Sequence, residues 1–348
     1  MNIKKWATLY ITIPIILISI IFSFNFIIDP YSITSYNLLN IPNKFARDDR
    51  KEKVSKLYNE PPYVNMLFGS SRVYGINPLI VKKYIGGKSY NAGVGSARVE
   101  DILGFLLYLK HINKLPKNIV VGLDFYSFNQ NVETNKYFLL NDDINFLSLQ
   151  ATNDLYFSKF LSIDALRASF STLKNFLKNS QGKPRFDIHG TAGGGSKNFI
   201  FFPKKILKRA FDMQEIERGY NDVKTISYNI ISPDRMQYMR EIITLCKEHH
   251  IKYKIFITPI NGQLLTKIKD DSHLYNTFIN FKSELAHITP YYDFTLHNNI
   301  NDNSFYFMDP FHTQLFTGNL VLARLFNDNK VSLPNNFGMF VAKKEVQP

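Results

Sequence analysis

Cysteine is almost missing: Cys246 is the only one in 348 residues. That excludes a disulfide framework and any cysteine-built zinc site. Charge is thin as well, at 20% of residues, too little for a disordered polyelectrolyte. Acidic side chains are the scarcer sign, 29 against 42 Lys and Arg, so the chain is formally +13. No dense Lys/Arg block and no nucleic-acid motif accompany that excess, so nucleic acid is not implied as a partner. A phosphate-binding loop is lacking too: Gly193-Gly194-Gly195-Ser196-Lys197 has the wrong spacing and no strand before it, and reads as a flexible loop. No metal is implied. His249-His250 reads as a helix end, where positive charge suits the dipole, and His189 beside Asp187 as a weak metal or loop feature. No internal repeat is evident. What remains is 45% hydrophobic content and 50 Phe and Tyr, enough for one large core or two modest ones.

One stretch has no charge at all. Trp6 to Ile28 is 23 residues rich in Ile, Leu and Phe, and about 20 apolar residues cross a bilayer core. Lys4 and Lys5 precede it, which keeps that end cytoplasmic and sends the rest of the chain outward. A cleaved signal peptide is the competing reading, but the run is long and no Ala-x-Ala site follows. The expected organisation is a membrane anchor over 1–28, an irregular polar tether over 29–60, and an exported domain over 61–348. The excess positive charge then faces anionic envelope polymers or lipid head groups.

Strands and helices alternate through that domain. Tyr63–Phe68, Ser89–Asn91, Asn118–Leu123, Lys252–Thr258 and Tyr291–Phe294 read as short strands. Asn77-Pro78 opens one helix, Ser96 caps another carrying Val99, Ile102, Leu103 and Leu106, and Ser232-Pro233 opens a third. Helices are also expected over 272–286 and 317–327. Residues 130–225, with a helix over 162–178 and a glycine-rich loop at 190–195, read as an insertion. The pattern predicts an α/β fold, a parallel sheet with helices on both faces. Cys246 falls on an apolar helix face and reads as core.

Three segments could do chemistry. Gly69-Ser70-Ser71-Arg72 follows the first strand, where open α/β sheets bind ligands. Asp309-Pro310-Phe311-His312 precedes the last helix and could supply a base and the carboxylate that orients it. Asn91-Ala92-Gly93-Val94-Gly95 follows the second strand, where backbone N–H groups can meet an oxyanion. Arg72 and Arg98 flank two of these segments and either bind an anionic substrate or are simply solvated.

Taken in this order, the three segments resemble the SGNH/GDSL hydrolase superfamily, with a serine after strand one, a glycine block after strand two and a terminal D-x-x-H. The likeness covers about 60–125 and 230–328. Within the superfamily it is closest to the membrane-anchored SGNH-like proteins of cell-envelope acylation, the teichoic acid D-alanine-transfer and alginate O-acetylation type. The resemblance implies a three-layer, flavodoxin-like sheet. It implies Ser71 as nucleophile, His312 as base, Asp309 as orienter, and the N–H groups of Ser71 and Gly95 as oxyanion donors, with no cofactor. It also implies O-acyl, most simply O-acetyl, transfer to or from a cell-surface polysaccharide at the bacterial cytoplasmic membrane, on its outer side, with a membrane-bound O-acyltransferase as partner. A glycan O-acetyl esterase and a non-catalytic envelope scaffold are the rival readings. Two positions depart from the pattern: Ser70 replaces the motif's Asp, and the strand-three block Gly122-Leu123-Asp124 lacks the superfamily's Asn, so one oxyanion donor is missing or comes from elsewhere.

Overall fold

A computed structural model of the protein describes residues 3–30, 38–39, 41, 49–132, 160–178, 186–191, 211, 213–225 and 230–344. The Gly193–Lys197 loop lies outside them. The chain forms two compact units, one of residues 1–61 with 141–184 and one of 62–140 with 185–348.

The second unit is α/β. Its elements in order are β1 (Asn65–Phe68), α3 (Pro78–Ile85), β2 (Ser89–Asn91), α4 (Val99–His111), β3 (Asn118–Leu123), α6 (Met213–Thr225), α7 (Pro233–Glu248), β4 (Lys252–Ile257), α8 (Gly262–Asp270), α9 (Ser272–Ile288), β5 (Tyr291–Asp293), α10 (Leu315–Leu325) and β6 (Met339–Val341). The sheet order is β2-β1-β3-β4-β5-β6. The first five strands are parallel and β6 is antiparallel to β5. This is the doubly wound 2-1-3-4-5 order, which reverses direction between β1 and β3. β1 and β3, at the centre of the sheet, are almost wholly buried because both sheet faces are covered there. Leu67, Val120 and Phe256 share a core with Val81 of α3 and Val321, Leu322 and Leu325 of α10. The next residue along β1, Phe68, points the other way and meets Phe105 of α4.

Local chemistry sets the helix starts. Asn77 accepts from Leu79 N–H and Ser232 from Arg235 N–H, as expected of N-caps. Ser96 does not cap α4. It takes a left-handed φ of 50°, the chain enters the helix two residues later, and Asp101 accepts from the Arg98 N–H at 2.8 Å. A buried ion pair ties α7 to α4: Arg235 holds Glu100 at 3.0 Å and also donates to the Asn129 and Val132 carbonyls. Cys246 is fully buried, and burial pushes its thiol up to about 12.

The first unit contains α1 (Ile3–Ile28), α2 (Asp49–Asn59) and α5 (Ile163–Leu177). Within α1, Tyr10–Ile28 is long and apolar enough to cross a membrane. Two expectations shift here. Residues 49–59 of the expected irregular tether are helical, with Leu57 and Lys53 buried. The expected insertion also divides: 141–184 belongs with the N-terminal helix, and α6 with the α/β unit.

Candidate active site

β1 runs directly into Gly69, whose φ of +146° excludes other residues in practice. A Cβ there would lie 2.6 Å from the Gly122 carbonyl oxygen and 2.8 Å from Val73. The chain then turns through Ser70 into one turn of 3-10 helix, Ser71–Val73. Ser70 is buried and serves as the cap, its hydroxyl accepting from Arg72 N–H at 3.2 Å. Ser71 is the serine that faces outward into the site.

Three glycines fix this turn. A Cβ on Gly69, Gly93 or Gly122 would come within 2.8, 2.4 and 2.5 Å of the Val73 methyls. The Val73 side chain thus fills the space that these three glycines leave by having no side chain. Asn91 braces the same turn, donating both amide hydrogens, to the Val73 carbonyl at 2.7 Å and the Ile76 carbonyl at 2.9 Å.

The partner segment is a loop between β5 and α10, closed by an antiparallel bridge between Phe307 and Thr313. Asp309 is tied into its own turn: one carboxylate oxygen accepts from Phe311 N–H at 2.8 Å and His312 N–H at 2.9 Å. The other accepts from His312 Nδ1 at 2.7 Å. The opposite ring nitrogen, Nε2, lies 2.8 Å from Ser71 Oγ across 241 positions of sequence. A proton on Nδ1 satisfies both contacts, leaving Nε2 to accept from the serine hydroxyl. Burial raises the Asp309 carboxyl, but the His312 hydrogen bond and charge and the two N–H donors outweigh it and hold it below its ordinary value. Ser71, His312 and Asp309 therefore meet in one hydrogen-bonded chain.

A His–Asp pair alone is not distinctive. His297 Nδ1 also contacts Asp302 at 2.7 Å, but its other nitrogen is 3.5 Å from the Thr266 hydroxyl, which donates to the Gly262 carbonyl instead. Of these two pairs, the 312 pair has a hydroxyl at close hydrogen-bond distance from its other nitrogen.

On the donor side, the Ser71 N–H has no acceptor among the described residues. In the glycine block, Gly93 N–H donates to the Asn91 side chain at 2.9 Å and Val94 N–H to the Gly69 carbonyl at 3.0 Å. Both are committed within these turns, and Gly95, the donor the resemblance implies, has contacts of its own. After β3, where an Asn is lacking, stands Asp124, a buried carboxylate and not a donor.

Asp124 has another role that the sequence did not disclose. It accepts from Thr258 Oγ1 at 2.5 Å and faces Arg72 Nε at 3.4 Å, and Arg72 also donates to Thr258 at 3.3 Å. The Arg72 guanidinium lies 4.6 Å from the centre of the Phe311 ring and 5.3 Å from that of Tyr126. With its side chain 8% exposed, Arg72 is committed to these partners and does not offer a free charge to a substrate. It clamps the serine turn to the ends of β3 and β4 and to the histidine loop. Arg98 differs. Its guanidinium stacks over Tyr126 at 5.2 Å and donates to the Ser96 carbonyl, while its buried Nε has no partner. Burial lowers the Arg98 pKa, opposed by Tyr126. The Tyr126 hydroxyl is itself pushed up, first by burial and then by Asp124. The available signal for Asp124 and Thr258 was position: each directly follows a parallel strand at its carboxyl end.

Asp187 accepts from the backbone of His189 and Thr191 at 2.8 and 2.9 Å, and the His189 carbonyl accepts from Asn91 N–H, so that pair shapes a loop beside β2. Among the described residues no cluster of three or more His, Cys, Asp or Glu is placed to hold a metal. No protein-family model matches the chain, and no curated protein matches it significantly.

Proposed function

We propose that this is a membrane-anchored, SGNH-like serine acyltransferase that moves an O-acyl group, most simply acetyl, to or from a cell-envelope polysaccharide. The observation that supports it is the Ser71–His312–Asp309 hydrogen-bonded chain, with contacts of 2.8 and 2.7 Å. His312 Nε2 takes the Ser71 proton as Oγ attacks the acyl carbonyl. The developing oxyanion is met by the Ser71 and Gly95 N–H groups. As the tetrahedral intermediate collapses, His312 returns the proton to the departing oxygen, and the acyl group rests on Ser71. A sugar hydroxyl then gives its proton to His312, attacks the serine ester, and leaves with the acyl group as His312 returns that proton to the departing Ser71 Oγ. Asp309 holds the ring in the tautomer both halves require and stabilises its charged form. Arg98 is the group offered to an anionic substrate.

We assign the acyl donor to a membrane-bound O-acyltransferase, and Lys4 and Lys5 ahead of the apolar α1 support a site on the outer side of the membrane. The readings are separated with the full-length protein in detergent, incubated with a model acetyl ester and an oligosaccharide acceptor. Transfer predicts an acetyl mass on Ser71 and acetylated acceptor. An esterase releases acetate with no acceptor product. A Ser71→Ala strain with normal surface-glycan acylation would leave only a scaffold.

A further inference from the structure

The helix α5 carries an apolar face that stays largely exposed among the described residues. Ile163, Phe170 and Leu177 are 69%, 59% and 72% exposed. They recur every seven residues, a spacing that drifts only about 20° per step around a helix. All three therefore share one face over about 22 Å of helix. Arg167 and Lys174, also exposed, fall between them on the same face, and Lys178 follows the last turn. The opposite face is small and buried: Ala165, Ala168, Ser169 and Thr172.

α5 is also attached to the outgoing end of α1. Phe160, just ahead of it, packs edge-on against Phe22 and Phe26, and its carbonyl accepts from the buried Asn25 side chain at 2.6 Å. Phe24 of α1 meets Phe170 of α5, ring centres 5.0 Å apart. The exposed face of α5 is thus continuous with the apolar surface of α1, where Ile11, Ile13, Ile15, Ile16, Leu17 and Ile18 are all more than half exposed.

We propose that α5 lies in the outer membrane–water interface as a second, in-plane attachment, its occupant a lipid bilayer carrying anionic head groups. Aliphatic and aromatic side chains alternating with long cations on one helix face is the pattern such helices use: the apolar groups sink to the acyl boundary, and Arg and Lys reach up to phosphate. The junction at Phe24 and Phe170 sets the depth, because Phe24 belongs to the last turns of the span. The proposal rests on α1 crossing the bilayer.

The test uses the full-length protein in phosphatidylcholine vesicles with and without phosphatidylglycerol. Cys246→Ala serves as background, with one spin label at a time at Ile16→Cys, Ile163→Cys, Arg167→Cys, Phe170→Cys, Leu177→Cys or Glu241→Cys. Accessibility to oxygen reports lipid, and accessibility to a nickel chelate reports water. Labels at 163, 170 and 177 are expected to favour oxygen at shallow depth, label 16 to favour it most, and label 241, on exposed α7, to favour nickel. Phosphatidylglycerol should shift the three α5 labels deeper, and Arg167→Glu with Lys174→Glu should abolish that shift. Nickel access at 163, 170 and 177 with label 16 still in lipid overturns the proposal and leaves the anchor standing. Protection from both reagents assigns the face to a protein and overturns it too. Nickel access at label 16 overturns the anchor itself, and the α5 proposal with it.

Discussion

Val73 is the side chain on which the position of Ser71, the proposed nucleophile, depends most closely. Adding a methyl at Gly122 would bring it within 2.5 Å of Val73 and 2.8 Å of the Phe256 ring. Gly122→Ala is therefore expected to cost about 1–3 kcal/mol by overpacking. It should also slow acyl transfer, because Val73 ends the turn that Ser71 begins; melting temperature and rate check the two parts. The serine and histidine should behave as a unit. Ser71→Ala or His312→Ala should each lower the rate by about 10³-fold or more, and the double variant little further, as single-turnover kinetics would show. Asp309→Asn should be equal or milder, since an amide still accepts at its oxygen but presents a donor to Nδ1 and favours the wrong tautomer. Ser70→Ala loses a cap and not a nucleophile, so loss of transfer in that variant, with Ser71→Ala active, would reverse the assignment. Ser71, His312 and Asp309 were legible in the sequence because strand ends mark where ligands bind. The Arg72–Asp124–Thr258 clamp was not, since an Arg after a serine motif looks the same whether it faces substrate or a buried carboxylate.

Among the elements, α4 and α7 depend on each other through charge. Glu100 and Arg235 are almost completely buried, and the arginine also holds the two carbonyls at the start of the segment that leaves β3. Removing one partner strands the other, so Glu100→Gln is expected to destabilise by about 3–5 kcal/mol. Glu100→Leu combined with Arg235→Met should recover much of that, and a double-mutant cycle in urea measures the coupling. Element periodicity was readable where a helix start carried a signal: Asn77 and Ser232 cap their helices as the sequence suggested. It failed where tertiary contact decides. The β6 strand, Met339–Val341, has little pattern of its own and forms because β5 offers an unpaired edge. Helix α2 was hidden in a polar segment, since its single buried leucine sets no stripe.

Taken as one body, the α/β unit should keep its only thiol silent and its site intact across a wide pH range. With the Cys246 pKa pushed to about 12 by burial, a disulfide reagent at pH 8 is expected to react only as the protein unfolds, at a rate that tracks denaturant concentration. Prompt labelling of native protein would contradict this. Asp309 has its carboxyl lowered, so its contribution to stability is present above the ordinary carboxylate value near 3.9 and is lost as pH falls through its lower folded value. Melting temperature measured between pH 2 and 6 should therefore fall less steeply in Asp309→Asn than in the parent. The effect should be small, because the side chain is about half exposed. The sheet class and its parallel order followed from alternating strands and helices, but the division of the middle segment between two units did not. That division depends on which residues pack against α1, and composition is silent on it.

The hydroxyl and the nitrogen that must meet are 241 positions apart. A ribosome working at roughly 5–20 residues per second delivers the serine about 12–50 s before the histidine. Throughout that interval Ser71 is an ordinary alcohol. The first three strands, the glycine loops and the Asn91 brace can all be complete while nothing near the serine can take its proton. A chain stalled or cut anywhere ahead of Asp309 lacks His312, and with it α10, whose Val321, Leu322 and Leu325 complete the core over β1 and β3. On the proposed chemistry, fragments from interrupted synthesis or proteolysis would transfer no acyl group, because the base and its orienting carboxylate arrive only with about the last ninth of the sequence.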